Sequence, residues 1–189
     1  CTVRYNVFSS NVLRNGQYGF YLDEYYGRGV EVYRNNLTDN TLTNFSTYAA
    51  YFANPETYGN DFGGNNTIDG YYFYHYAYRQ NGIIGNLDLD SSNDLTNLGM
   101  ITVVACNNFT VNNCTVTSDN DSGIFLWGNV NCSILNSRIS KIGDATGEAN
   151  ILAYVEQGTL IKNNTIDRGY NGIRLFSSSG MRITHNSIS

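Results

Sequence analysis

Apolar residues recur along this chain in a short figure: apolar, two variable residues, Asn, one variable residue, apolar. VRYNVF places Val3, Asn6 and Phe8 in it, and VYRNNL places Val32, Asn35 and Leu37. IKNNTI supplies Ile161, Asn164 and Ile166, and ITHNSI supplies Ile183, Asn186 and Ile188. Two copies put another small residue in the Asn slot, Cys114 in VNNCTV and Ser137 in ILNSRI. GGNNTI keeps Asn66 and Ile68 but has Gly63 in the first apolar position. The slots at 6, 35, 66, 114, 137, 164 and 186 are separated by 29, 31, 48, 23, 27 and 22 residues. The step of 48 holds a degenerate copy, IGNLDL, with Ile84, Leu87 and Leu89. The chain therefore reads as about eight repeats.

Between the copies lie second apolar runs: GFYL, YAAYF, YFYHYAY, GMITVV, GIFLW, NILAYV and GIRLF. Short β-branched or aromatic runs bounded by Gly, Asn and Ser predict strands. No segment has a capped 3.6-residue period, so no helix is expected. Short strands at this spacing predict an all-β chain wound as a parallel β-solenoid, since one repeat buries its apolar face only against the next. The Asn slots (Asn6, Asn35, Asn66, Asn164 and Asn186, with Cys114 and Ser137) are expected to form a structural ladder. Asn tolerates the left-handed backbone region, which suits a corner between strands. Its amide can also donate to one neighbour in the stack and accept from the other.

The copies VYRNNLT, IKNNTID and ITHNSIS resemble the repeats of the right-handed parallel β-helix superfamily, which includes pectate-lyase-like enzymes, NosD-like periplasmic proteins and repeat proteins of archaeal and bacterial cell surfaces and sheaths. The resemblance runs over nearly the whole chain and implies one right-handed β-helix domain over 1–189. It says little about activity, because this fold hosts lyases, hydrolases, epimerases and non-enzymes. Pectate-lyase-like members use a basic residue beside bound calcium, and no residue here matches that role. NosD-like members are linked to copper-enzyme maturation. Met100, Met181, His75 and His185 are scattered, so copper binding gains no support.

Composition narrows the picture. There are 28 Asn, 2 Lys and a net charge of −5, with no basic stripe, which argues against a nucleic-acid partner. No apolar run is long enough for a membrane span. Eight N-x-S/T sequons begin at Asn36, Asn44, Asn65, Asn108, Asn113, Asn120, Asn131 and Asn163. With few lysines and four cysteines they fit an extracellular glycoprotein, although a chain this rich in Asn, Ser and Thr also makes sequons by accident. Cys1, Cys106, Cys114 and Cys132 are disulfide candidates; four cysteines allow three pairings. Cys1 could instead cross-link neighbouring chains.

Candidate chemistry is sparse. The two NNTID copies end in Asp69 and Asp167, four coils apart in this register, or about 19 Å at the ~4.8 Å strand spacing. That is too far for a catalytic carboxylate pair. Asp88, Asp90 and Asp94 form the densest acidic stretch and are a weak candidate calcium site, against a plain solvated edge. No catalytic residue is assigned, and no cofactor beyond that calcium. Tyr72, Tyr74, Tyr76 and Tyr78 alternate, and are expected to face outward as a protein-contact or sugar-stacking surface. The last repeat stops within a coil and no capping helix is seen, so the expectation is either a stretch of a longer solenoid or an uncapped self-assembling unit. The resulting expectation is a structural protein of the cell envelope, a surface layer, sheath or filament, whose partners are copies of itself. The alternative is a carbohydrate-binding or polysaccharide-degrading β-helix.

Overall fold

The computed structural model describes residues 2–4, 7–15, 18–22, 31–33, 36–38, 40–43, 48–52, 61–62, 67–68, 71–72, 74–90, 101–117, 122–140 and 149–189. Every regular element among them is a strand. The first part of the chain forms small sheets. β1 (Thr2–Arg4) runs parallel to β5 (Glu31–Tyr33). β2 (Val7–Ser9), β6 (Asn36–Thr38) and β9 (Asp61–Phe62) make a second sheet. β3 (Val12–Arg14), β7 (Thr41–Thr43) and β10 (Thr67–Ile68) make a third, and β11 (Tyr71–Tyr72) joins it antiparallel to β10. β4 (Tyr18–Leu22) pairs with β8 (Tyr48–Phe52).

From Tyr74 onward three parallel sheets, each five strands deep, run side by side. The first contains β12 (Tyr74–Ala77), β15 (Ile101–Val104), β18 (Ser122–Trp127), β21 (Ala149–Tyr154) and β24 (Ile173–Phe176). The second contains β13 (Ile83–Gly85), β16 (Thr110–Asn112), β19 (Ser133–Leu135), β22 (Leu160–Lys162) and β25 (Arg182–Thr184). The third contains β14 (Asp88–Asp90), β17 (Thr115–Thr117), β20 (Arg138–Ser140), β23 (Thr165–Asp167) and β26 (Ser187–Ile188). One strand from each sheet makes a coil, so the chain is a parallel β-solenoid. Five strands span four turns, fewer than the eight repeats expected, because the strands before Tyr74 fall into separate sheets and β11 breaks the parallel order.

Each coil carries an invariant 17-residue arm: 74–90, 101–117, 124–140, 151–167 and 173–189. The arms are separated by 10, 6, 10 and 5 residues (91–100, 118–123, 141–150 and 168–172), always between a strand of the third sheet and the next arm in the first, and β18 and β21 already begin within two of these spacers, at Ser122 and Ala149. The uneven repeat spacing thus comes from one edge of the solenoid only.

Three left-handed residues per coil turn the arm. At the first corner they are Tyr78, Ala105, Gly128, Val155 and Ser177. At the second they are Asn81, Asn108, Asn131, Gly158 and Gly180, and at the third Asn86, Asn113, Asn136, Asn163 and His185. This corrects the expectation that the slot residue itself makes the turn. The left-handed residue stands immediately before the slot, so its side chain points out while the next points in. At the third corner the outward amides also bond between coils, in two pairs rather than one continuous row, since Asn136 Nδ2 donates to Asn112 Oδ1. Asn113 Nδ2 donates to Asn86 Oδ1 at 2.7 Å, and Asn163 Nδ2 to Asn136 Oδ1 at 3.2 Å.

The interior is built of columns in strand register. Ile101, Ile124 and Ile151 stack in one, and Ile84, Val111, Ile134 and Ile161 in another. Tyr74 and Tyr76 belong to this interior and pack on the core. They do not face outward as expected. Room for them exists because Gly82 has no side chain: a Cβ there would lie 2.6 Å from the Phe109 ring, and Phe109 in turn meets Tyr76 at 5.1 Å between centroids. Burial pushes the Tyr76 hydroxyl up to about 12, with the neighbouring Tyr74 adding to the shift. Tyr78 is a left-handed corner residue, 59% exposed, and the Tyr72 side chain lies outside the described residues.

Candidate functional site

Two polar ladders run inside the described coils. The third-corner ladder is the expected one. Cys114 N–H donates to Ser137 Oγ at 3.1 Å, Ser137 N–H to Asn164 Oδ1 at 2.9 Å, and Asn164 N–H to Asn186 Oδ1 at 2.9 Å. Asn164 Nδ2 also donates to the Ile134 carbonyl and to Asn186 Oδ1, both at 3.0 Å. The Ser137, Asn164 and Asn186 side chains so satisfy a backbone N–H of a neighbouring coil that would otherwise be buried unpaired. Leu87 fills the slot of the first coil. Asn6, Asn35 and Asn66 lie outside the described residues.

The first-corner ladder escaped the sequence reading. Arg79 N–H donates to Cys106 Sγ, Cys106 N–H to Asn129 Oδ1, Asn129 N–H to Glu156 Oε1, and Glu156 N–H to Ser178 Oγ. These residues stand eight positions before the third-corner slots in every arm, and that constant offset was the available signal. Asn40 was missed too; it is buried and accepts from both Asn11 N–H and Asn11 Nδ2. Glu156 is 1% exposed. Its Oε1 takes two donors from Asn129 and its Oε2 one from Thr159. Burial raises its pKa, and those hydrogen bonds only partly offset the shift.

All three described cysteines are free thiols, which corrects their candidacy as disulfide partners. They occupy inward slots at three different corners, and each donates to backbone carbonyls. Burial pushes the Cys132 thiol up to about 11 and raises Cys106 and Cys114 as well. Cys1 lies outside the described residues.

The outer face of the first sheet carries an apolar cluster of its own. Val104, Phe125, Ala149 and Leu152 are buried there, with Trp127, Tyr154 and Phe176 packed against them. In the aligned column the rings of Trp127 and Tyr154 stack with centroids 5.0 Å apart at 22°, and those of Tyr154 and Phe176 at 4.6 Å and 7°. Arg174 lies over the Phe176 ring at 4.6 Å. The rings are half-buried; Tyr154 stacks on both Trp127 and Phe176, and Phe176 also carries Arg174. A sugar stacks on a ring face; this column offers mainly ring edges, which suit side-chain contacts with protein. His75 is buried on the same face and is hydrogen-bonded through Nδ1 to Thr102 Oγ1.

The remaining candidates stay apart. Asp88 and Asp90 share one face of β14 by alternation, opposite Thr115 and Thr117; their side chains and Asp94 lie outside the described residues. No group of three or more His, Cys, Asp or Glu that could hold a metal occurs among the described residues. Asp167 meets Arg138 at 3.5 Å, and Asp69 is outside the described residues. Asn108, Asn113, Asn131 and Asn163 are exposed corner residues. Of the other sequon asparagines, Asn36 lies on β6 with its side chain outside the described residues, and Asn44, Asn65 and Asn120 are outside altogether. No helix among the described residues is long and apolar enough to cross a membrane.

Three parallel sheets, three corners and interior ladders define a parallel β-helix repeat protein. Residues 122–189 match the family model described as right handed beta helix region. That match covers about a third of the chain and agrees with the parallel β-solenoid of the described coils. Searches among curated proteins and among solved structures returned no match.

Proposed function

We propose that this chain is an extracellular structural protein of the cell envelope, of the surface-layer, sheath or filament kind, which assembles with copies of itself through coil stacking and lateral contacts. The observation that carries the reading is how the polar side chains are used. Asn129, Glu156, Ser178, Ser137, Asn164 and Asn186 all bond to the neighbouring coil, which makes a stiff rod and leaves them unavailable to a substrate. One further feature supports it. The aromatic column presents edges rather than stacking platforms. The test is sedimentation with negative-stain electron microscopy of the purified chain over a concentration series. Ordered polymers are expected; discrete short rods at every concentration would overturn the proposal.

A carbohydrate-binding role is the second reading, favoured by the half-exposed Trp127 and Tyr154 on one outer face. Saturable binding of a defined polysaccharide, lost in Trp127→Ala, would decide for it.

A further inference from the structure

Four of the eight sequons fall at described corners, and all four are displayed in the same way. Asn108 and Asn131 stand at the second corner, Asn113 and Asn163 at the third. Each is exposed and left-handed, with φ between 52° and 58°. The residue after each points into the core: Phe109, Cys132, Cys114 and Asn164 are at most 3% exposed. The hydroxyl residue that completes each sequon, Thr110, Ser133, Thr115 or Thr165, begins the next strand on its outer face. Acceptor amide and hydroxyl therefore lie together on the solvent side of the chain, with the residue between them buried.

The corner accounts for the asparagine but not for the hydroxyl. Asn or Gly suits the left-handed backbone. Two positions further on, the fold accepts other chemistry. Ile83, Leu160 and Arg182 occupy that place in the second sheet, and Asp88 and Arg138 in the third. Both second-corner glycines, Gly158 and Gly180, are followed there by a residue without a hydroxyl, Leu160 and Arg182. The coils also leave the amides free to take a substituent. Beyond Asn131 the second corner carries only Gly158 and Gly180, and a Cβ at Gly158 would lie 2.5 Å from Asn131 Oδ1. Asn108, Asn113 and Asn163 each donate through Nδ2 to the asparagine one coil back, Asn81, Asn86 and Asn136. A primary amide has two N–H donors, so a sugar on the nitrogen replaces one and leaves the other for that bond.

We infer that Asn108, Asn113, Asn131 and Asn163 are N-glycosylation sites. The donor is an oligosaccharide linked through phosphate to a lipid. The amide nitrogen bonds to the anomeric carbon, the bond from that carbon to the phosphate oxygen breaks, and the lipid phosphate leaves. The amide gives up one proton to a base of the transferase. The glycans line the two corners that bound the second sheet and shield its outer face. The outer face of the first sheet, with Trp127, Tyr154 and Phe176, carries no sequon among the described residues and stays bare for lateral contact. This deepens the extracellular reading above, on which it rests. The test is glycopeptide mass spectrometry of the chain secreted by its native cells, beside Thr110→Val, Ser133→Ala, Thr115→Val and Thr165→Val variants. These remove the acceptor signal and keep the corner asparagine, and thermal melts check that each variant folds. Sugar is expected on all four asparagines, and each variant should lose one glycan mass. Four bare asparagines, sugar confined to other sequons, or variants that keep the full glycan mass would each overturn the inference; one bare asparagine would strike that site from it. An unglycosylated chain that still polymerises would keep the envelope reading and reject the glycans. A glycosylated chain found only as single rods would do the reverse.

Discussion

Asn164→Ala removes the most connected rung of the third-corner ladder. Asn164 is 2% exposed. Its Oδ1 accepts the Ser137 N–H, and its Nδ2 donates to the Ile134 carbonyl and to Asn186 Oδ1. Alanine leaves the Ser137 N–H buried without a partner, at about 1–3 kcal/mol, while the Ile134 carbonyl stays in the β19–β22 ladder; the loss of the amide's own bonds and packing adds to this. The expected destabilisation is about 2–4 kcal/mol. Asn164→Ser should lose less, because the hydroxyl of Ser137 already shows that a serine in this slot accepts the amide below and donates to a carbonyl. Thr165→Ala, on the exposed neighbour, is the control and should stay within about 0.5 kcal/mol. Urea unfolding followed by two probes gives the stability, and hydrogen exchange at the Ser137 amide reports the rung itself. An Asn164→Ala chain that matches the control, with the Ser137 amide still protected, would refute the ladder as a source of stability.

Four other outcomes follow from the same geometry. Glu156 has its folded pKa raised above the unfolded value of about 4.3, so the folded chain holds the extra proton, and stability falls as pH rises from there through the folded pKa. Glu156→Gln should abolish that slope in urea midpoints measured from pH 4 to 8; an unchanged slope would show that burial is not what shifts the group. Gly169→Ala should destabilise strongly, because its Cβ would sit 1.7 Å from Asn150 Oδ1. The Asn150 amide is held by the Ile139 and Asp167 carbonyls and cannot swing aside, so a melting temperature unchanged from wild type would contradict the packing. Cys106, Cys114 and Cys132 should resist iodoacetamide in the folded chain and react fully in denaturant, with a melting temperature insensitive to reductant; rapid native labelling at these sites would count against their burial. Tyr154→Ala removes two stacked ring contacts and should cost about 1–3 kcal/mol in urea unfolding, far more than Tyr170→Ala at an exposed site.

The period of the Asn slots was enough to read the fold class, because a residue that must satisfy the next coil's backbone cannot drift in register. Ser137, Asn164 and Asn186 were legible for that reason, whereas Leu87, with no hydrogen-bonding group, was found only by its spacing from Ile84 and Leu89. The second ladder was not, since Cys106, Asn129, Glu156 and Ser178 share a position but no chemical type. Only their fixed distance from the first ladder connects them. The orientation of Tyr74 and Tyr76 was misread because alternation gives two faces without saying which is inside. The outer face of that sheet proved equally apolar, with Val104, Phe125 and Leu152 buried on it, so polarity offered no guide. The aromatic column of Trp127, Tyr154 and Phe176 was hidden because its members lie 27 and 22 residues apart and meet only through strand register. The slot asparagine was credited with the turn, whereas its predecessor makes it; single-residue propensity does not distinguish adjacent asparagines such as Asn163 and Asn164.

Electron cryomicroscopy of the purified chain at assembling concentrations tests the central claim most directly. An envelope-building β-helix should give ordered polymers in which adjoining copies meet along defined faces, with strands about 4.8 Å apart throughout each rod. Single unassociated rods at every concentration and salt, with the same strand spacing, would confirm the solenoid and contradict the structural role.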